Sequence, residues 1–340
     1  MTVLNNQRIV LASRPTGAPT KENFRLESIS VPSVQNGEVL LKTIYLSLDP
    51  YMRGRMSESE SYAANLAIND VMVGGAVSQV IESRHPDYQA GEWVLGYTGW
   101  QSYAISNGEG LLKLGSNPTH PSWALGVLGM PGFTAYMGLL DIGNPQPGET
   151  IVVAAATGPV GATVGQIGKI KGCRVVGIAG GAEKCQYAKD QLGFDDCIDH
   201  KADDFAEKLA KACDKGIDVY FENVGGKVFD AVLPLINTGA RIPLCGLVSQ
   251  YNATSLPEGP DRMGQLMVKL LIKRAKVQGF IIFDDYGHRY PEFAEQMTQW
   301  VNDGKVKYKE QIVDGLANAP EAFIGLLEGK NFGKLVVKIS

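Results

Sequence analysis

The first 172 residues of this 340-residue chain contain no cysteine, so no thiolate can hold a metal in that half. The five that follow, Cys173, Cys185, Cys197, Cys213 and Cys245, are odd in number, widely spaced and without a CxxC pair, as expected of reduced thiols in a cytoplasmic protein. Histidine is scarce, and His85, His120, His200 and His288 lack the HxxxH spacing of metal ligands. There is no positive excess either. With 32 Lys and Arg against 36 Asp and Glu the formal charge is −4, which offers no basic field to nucleic acid or an anionic membrane and leaves a small molecule as the expected partner. No apolar run approaches the ~18 residues that a spanning helix needs. Met1–Pro15 has no apolar core followed by a small-residue cleavage site. Repeats, low-complexity tracts and charge blocks are missing as well. These absences point to a soluble, metal-free protein acting on a small molecule.

What is present is enough apolar residue, 44%, for a large core and two domains. From Arg8 to about Asn107 the apolar residues fall in short β-like runs, Ile9–Leu11, Val39–Leu46, Val71–Ile81, Trp93–Tyr97 and Tyr103–Ile105, separated by Gly, Pro, Asn and Asp. From about Met130 apolar runs alternate with helical patterns, the habit of βαβ units. The expected strands there are Thr150–Ala156, Arg174–Ala179, Cys197–Asp199, Ile217–Glu222, Ala240–Leu244 and Val277–Ile281, which suit a doubly wound parallel sheet. After a helix near Phe293–Val301 the texture returns to strands at Tyr308–Val313 and Leu335–Ile339, with a helix near Pro320–Leu327. The expected division is a β-rich domain at 1–125, completed by 305–340, and an α/β domain at 126–304.

The most informative stretch runs from Ile151 to Gly165: an apolar strand, a glycine turn, then a helix with Val160, Val164, Ile167 and Ile170 at helical spacing. A pyrophosphate needs backbone N–H groups and the positive end of a helix dipole, with no side chain in the way. Gly158 and Gly161 meet that need, and Gly165 would let helix and sheet pack closely. Small residues at these places would also serve plain helix–strand packing; the βαβ context favours a dinucleotide.

NAD enzymes of this architecture usually place an acid at the end of the second strand, on the ribose 2′-hydroxyl. Here that strand ends Val175-Val-Gly-Ile-Ala-Gly-Gly181, with no acid, and Lys184 follows. A 2′-phosphate would be accepted there, so NADP(H) is expected. Glu183 belongs to the first turn of the next helix, where the dipole favours an acid without turning it to the ribose. Oxidation of a simple alcohol by hydride transfer needs a Lewis acid on the oxygen. Lacking a thiolate site, the chain must meet oxyanion charge with hydroxyl and N–H donors, which favours a conjugated, already polarised acceptor.

Taken together, Asp49-Pro-Tyr-Met-Arg53, Gly129-Met-Pro-Gly-Phe-Thr-Ala-Tyr136, Ala154–Gly165, Glu222-Asn-Val-Gly-Gly226, Cys245-Gly-Leu-Val-Ser-Gln-Tyr-Asn252 and Gly329-Lys-Asn-Phe-Gly-Lys334 resemble the prostaglandin reductase and leukotriene hydroxydehydrogenase group of zinc-free medium-chain dehydrogenases/reductases, to which plant alkenal double-bond reductases also belong. Within it, Met56–Gly75 and His85–Gly91 are most similar to bacterial members acting on curcumin-like enones. The resemblance implies a GroES-like β-rich domain, a Rossmann domain, NADPH as cofactor and a homodimer. It puts Gly158, Pro159, Val160, Gly161 and Ala162 on the pyrophosphate and Lys184 on the 2′-phosphate. Asn223, Cys245, Gly246, Leu247, Val248 and Ser249, the backbone of Phe280, Ile281 and Ile282, and Asn331 would line the cofactor. His200 stands where members often have a tyrosine and is expected to touch the 2′-phosphate.

The implied reaction is hydride transfer from NADPH to the β-carbon of an enone, followed by protonation of the enolate at the α-carbon. A phenol, with an ordinary pKa of ~10, can donate a hydrogen bond to the enolate oxygen at neutral pH. Tyr251 matches the family's catalytic tyrosine, with the nicotinamide ribose 2′-hydroxyl as a second donor. Tyr51, Arg53, Tyr62 and Met130 are the candidates for the substrate mouth. Two rivals share parts of this pattern: a zinc-free quinone oxidoreductase, and a cofactor-binding structural or RNA-binding protein. The segments Cys245–Asn252 and Asp49–Arg53 speak against the first, and the acidic balance against the second.

Overall fold

A computed structural model describes residues 4–256 and 260–340, which form two compact units, Met1–Gly126 with Glu310–Ser340 and Val127–Lys309. In the first, β1 (Asn5–Leu11) pairs antiparallel with β2 (Phe24–Ser30). β3 (Val39–Ser47) is followed by the short α1 (Met52–Arg55), β4 (Ala76–Ser83), β5 (Trp93–Gly96), β6 (Tyr103–Ser106) and β7 (Leu112–Gly115). β2 has no alternating pattern, and the sequence does not announce it. It is held by main-chain pairing to β1 and by Glu27, which takes Arg8 at 2.9 Å and Arg25 at 2.6 Å. The run expected at Val71–Ile81 becomes a strand only from Ala76. The reason is Gly74, where a Cβ would stand 3.1 Å from both Leu46 Cδ1 and Met52 Cε, so the backbone is pressed onto the core before the strand begins.

The second unit carries α2 (Met130–Met137), β8 (Thr150–Ala154), α3 (Pro159–Ile170), β9 (Arg174–Ala179), α4 (Ala182–Asp190), β10 (Asp196–Asp199), α5 (Phe205–Ala212), β11 (Ile217–Phe221), α6 (Gly226–Val232), β12 (Ile236–Leu244), α7 (Met263–Lys273), β13 (Lys276–Gly279), α8 (Ile282–Tyr286) and α9 (Tyr290–Asn302). The strands form one parallel sheet in the order β10-β9-β8-β11-β12-β13. This is the doubly wound arrangement read from the sequence. Its order reverses between β8 and β11, where the crevice at the C-terminal strand ends receives ligands. Every residue of β8 is buried, as a central parallel strand covered on both faces requires. Gly165 sets the spacing of α3: a Cβ there would fall 1.9 Å from Phe194 Cζ.

The chain then returns to the first unit through β14 (Glu310–Asp314), α10 (Ala319–Leu327) and β15 (Lys334–Lys338). β15 pairs antiparallel with β3, Val336 opposite Ser47. The core beneath includes Leu46, Met52, Trp100, Phe323 and Leu335, with Phe24 stacked on Trp100 at 5.7 Å. One charged pair is buried with it. Lys334, 1% exposed, is bonded to Asp49 and donates to the Leu48 carbonyl at 3.0 Å. Two ions out of water are tolerated only when each is partnered, so this pair pins β15 to the turn carrying Asp49-Pro-Tyr-Met-Arg53.

Candidate active site

The phosphate turn is built around one carbonyl. Ala155, at φ +53° although it is not glycine, directly follows β8 and points its oxygen back toward α3. That oxygen accepts the Gly158 N–H at 2.9 Å, and a Cβ on Gly161 would stand 2.3 Å from it. Only glycine lets the helix start this close to the strand end. Gly158 is the N-cap, Pro159 has no N–H to lose, and Ala162 N donates to Gly158 O at 2.9 Å. The N–H groups of Val160 and Gly161 therefore have no acceptor within the helix, at the positive end of its dipole. That is the donor set a pyrophosphate needs.

The neighbouring strand ends are basic. Lys184 lies in the first turn of α4, and burial followed by the charge of Lys201 pushes its pKa down. His200 follows β10; burial, and then Lys201 and Lys184, hold its pKa below the ordinary value against the pull of Asp199. His200 and Lys201 crowd the end of β9, since a Cβ on Gly180 would lie 3.0 Å from His200 Nε2 and 3.1 Å from Lys201 Cε. Glu183 acts on the Lys184 pKa in the opposite sense to Lys201, and Asp199 accepts the N–H groups of Gly181 and Lys201 on its Oδ1, each at 2.9 Å. Burial opposes its ionisation, but these bonds and the nearby cations carry its pKa below the usual carboxylate range. Lys184 and His200, both held below their ordinary pKa by burial and by the charge of Lys201, with the Asp199 carboxylate bonded to backbone, fit a dinucleotide bearing a 2′-phosphate. Lys201 escaped the reading of the sequence, although it directly follows His200. Its place beside the end of β9 comes from the parallel pairing of β9 with β10.

Across the sheet's reversal point, Asn223 donates from Nδ2 to Ala154 O at 2.9 Å, joining the β11 turn to the phosphate turn. Cys245 to Ser249 follow β12, with Val248 N on Asn223 O at 3.1 Å and Ser249 N on Val224 O at 3.1 Å. Tyr251 closes this segment. Its hydroxyl lies 3.0 Å from where a Cβ on Gly246 would stand, so glycine there makes room for the phenol. Phe280 and Ile282 are buried and Ile281 half-buried just past β13, with Ile281 N donating to Asp285 at 2.8 Å. Met130 opens α2, where Thr134 Oγ1 donates to its carbonyl at 2.7 Å.

In the first unit, Tyr51, Tyr62 and Tyr97 come together. Burial, then Asp49, Tyr97 and Tyr62, raise the Tyr51 pKa, so this phenol keeps its proton. Tyr62 and Tyr97 are more than half exposed, and Tyr97 had been read only as the end of a strand. Arg53 is buried, with Nη1 on Ser57 Oγ at 2.8 Å and Nη2 on the Gly17 carbonyl at 2.7 Å. Asn331 Nδ2 donates to Gly333 O at 2.9 Å. Among the described residues no group of three or more His, Cys, Asp or Glu side chains is placed to hold a metal ion.

Residues 7–114 match the family model described as the N-terminal domain of oxidoreductase, and residues 159–301 the one described as zinc-binding dehydrogenase. The NADPH-dependent curcumin reductase of Escherichia coli strain K12 is 69% identical over 98% of this chain and 97% of its own length. The 2-alkenal reductase (NADP(+)-dependent) of Nicotiana tabacum is 40% identical over 99% and 98%. The crystal structure of CurA in complex with NADPH from Vibrio vulnificus superposes with a TM-score of 0.96 at 71% identity, covering 98% of this chain and 99% of that one.

The turn geometry separates two glycines. Gly161→Ala sets a methyl 2.3 Å from a carbonyl oxygen, whereas Gly158→Ala meets nothing nearer than 3.3 Å. In a fluorescence titration with NADPH, Gly161→Ala is expected to weaken binding at least about tenfold and Gly158→Ala much less, because overpacking of ~1–3 kcal/mol falls on the donor turn. Equal binding by both variants and the parent chain would show that these glycines serve only packing.

Proposed function

The chain belongs to the medium-chain dehydrogenase/reductase family, in the group of the curcumin, alkenal and prostaglandin reductases, and on that footing we propose that it is an enone reductase whose oxyanion donor is Tyr251. It uses NADPH to reduce the carbon–carbon double bond of α,β-unsaturated ketones and aldehydes, among them curcumin-like enones and alkenals. The observation that carries the assignment of Tyr251 is its hydroxyl folded over Gly246 beyond the C-terminal end of β12, beside the turns that would cradle the cofactor.

NADPH, when bound, would supply the hydride for the β-carbon. Tyr251 Oη would donate a hydrogen bond to the carbonyl oxygen as charge gathers there, and a proton from solvent at the α-carbon would complete the saturated ketone or aldehyde. The Gly158–Ala162 turn orients the pyrophosphate through the backbone N–H groups of Val160 and Gly161. Lys184 and His200 bind the 2′-phosphate with Lys201 beside them. Asn223, the Cys245–Ser249 segment, the Phe280–Ile282 backbone and Asn331 line the cofactor. Tyr51, Tyr62 and Met130 receive the substrate, and Arg53, bonded to Ser57 and Gly17, holds the turn that presents Tyr51.

The same reading makes the protein a homodimer. β13 is the edge of the parallel sheet and all four of its residues are exposed. Beside it α7 presents Met263, Met267, Val268, Leu271 and Ile272 to solvent, Leu271 at 76%. A bare edge and an apolar helix face of this kind invite a self-complementary partner.

Four experiments test these statements. With NADPH and an enone, mass spectrometry is expected to find the saturated carbonyl, and Tyr251→Phe to lower kcat about a hundredfold; quinol formation without alkene reduction, or an unimpaired Tyr251→Phe, overturns the reading. Lys184→Ala should raise KM for NADPH at least about tenfold and leave NADH unchanged, since a charge-assisted bond is lost. His200 begins with a depressed pKa, and a phosphate favours its imidazolium form. NADPH binding should therefore take up a proton and tighten as pH falls through that pKa, and His200→Ala should flatten the part of the trend not shared with the phosphate's own titration. Light scattering should find a dimer that Leu271→Glu with Met267→Glu converts to monomer; a monomeric parent chain refutes the dimer.

A further inference from the structure

β11 runs into an acid that the chemistry above leaves unused. Glu222 is 1% exposed. Its Oε1 accepts the N–H of Val224 at 2.6 Å and of Gly225 at 2.9 Å. Its backbone oxygen accepts Cys245 N at 3.0 Å and Gly246 N at 3.2 Å, and its own N–H donates to Pro243 O at 3.0 Å. The turn closed in this way carries the next segment: Asn223 O and Val224 O take Val248 N and Ser249 N, and Ser249 Oγ donates to Val224 O at 2.6 Å. Gly225 and Gly226 hold φ of +75° and +56°, and a Cβ on Gly225 would lie 3.0 Å from Leu247 Cδ2, so turn and segment are in contact.

Successive backbone N–H groups converging in a turn make an anion-binding nest. Here the occupant is the chain's own carboxyl. Burial raises the Glu222 pKa while the N–H groups of Val224 and Gly225 pull it down. The Tyr220 hydroxyl, two residues back in β11, is buried on the same side and adds a weaker pull in the same direction. Solvent screening does nothing for a group this deep, and an apolar side chain would fill the space without the desolvation cost. What an apolar side chain cannot do is hold two N–H groups at once. The turn then has no reason to keep the shape against which residues 245–251 are laid.

We propose that Glu222 is a positioning residue for double-bond reduction: its buried carboxyl fixes the 223–226 turn and, through it, the Cys245–Tyr251 segment that presents the Tyr251 hydroxyl. The proposal rests on the reading of Tyr251 as the oxyanion donor. The Glu222 carboxyl itself touches neither cofactor nor substrate; it acts through backbone.

The test compares Glu222→Ala, Glu222→Gln and Glu222→Asp, following amide hydrogen exchange of the cofactor-free enzyme together with steady-state kinetics. Gln keeps an oxygen for the two N–H groups, and its exchange and kcat should stay within about twofold of the parent chain. Ala leaves both N–H groups buried and unpaired, so exchange across 245–252 should quicken at least about tenfold, with unchanged protection at 155–162, and kcat should fall with it. Asp, one methylene short, should lie between. Quickening spread evenly over the second unit, or an unchanged 245–252 segment in the Ala variant, overturns the proposal. Should the Ala variant not fold, the Asp variant decides in the same way. Tyr251→Phe measured alongside keeps the two ideas apart: full activity there with a loosened segment in Glu222→Ala discards Tyr251 as the donor and leaves the hold of Glu222 on the segment standing.

Discussion

The second unit depends on how closely the start of α3 approaches the end of β8. Ala155 adopts a left-handed backbone that costs a residue with a Cβ roughly 1–2 kcal/mol, and its carbonyl is the point about which the turn closes. Gly158 donates to that carbonyl, and Gly161 can lie against it only because it has no side chain. Strain of this size persists where the surroundings over-determine it, and such places concentrate at ligand sites. Gly165 and Gly168 extend the same contact along the helix, onto Phe194 and onto Ile151 and Val175. The glycines of this stretch are one device: a helix brought near enough to a sheet to aim its free N–H groups across the strand ends.

Around that device the charges are arranged by strand order. β9 and β10 are neighbours, so the residues after each meet: His200 and Lys201 crowd Gly180, and Lys184 feels the charge of Lys201. Asp199 would repel a 2′-phosphate were its carboxylate free, but two backbone N–H groups occupy it. On the other side of the reversal point the carboxyl of Glu222 is likewise turned inward onto backbone. In both places an acid shapes a loop by accepting N–H bonds instead of presenting its charge to a ligand. This leaves the strand ends positive where phosphate belongs and lets the loops hold their form without a ligand.

The first unit uses the opposite economy. Lys334 and Asp49 are buried as a pair whose separation would leave an uncompensated ion inside, a cost of several kcal/mol. Because one partner comes from the last strand and the other from the turn after β3, the unit closes only when both ends of the chain are in place. Arg53, sharing that turn, donates to Ser57 and to the Gly17 carbonyl, while Tyr62 and Tyr97 are exposed beside the more buried Tyr51.

Much of this was legible in the sequence, for definite reasons. The central strands β8 and β9 announce themselves as apolar runs because a strand covered on both faces tolerates little else, whereas β13, at the edge, is exposed along its length. The glycine turn shows because only glycine fits there, and the cofactor preference shows because an acid is missing after β9. β2 was not legible: past the buried Phe24 it is mostly exposed and carries no period, and pairing with β1 and the ion pairs of Glu27 make it a strand. Nor could the start of β4 be read, since packing of Gly74 on Leu46 and Met52 sets it. Lys201 and Tyr97 are ordinary residues in a linear reading and gain their places from residues far along the chain, and Glu222, though it opens a recognisable motif, shows its role only once its carboxyl is seen closing on Val224 and Gly225. The sequence by itself determined the layers, the phosphate turn and the want of a thiolate metal site, because these follow from local backbone chemistry and residue supply. Only the tertiary structure decided which cations gather at the end of β9, which acids are spent on backbone and where the Tyr251 hydroxyl rests, because those are contacts between separate strands, and strand order is not written in any one segment.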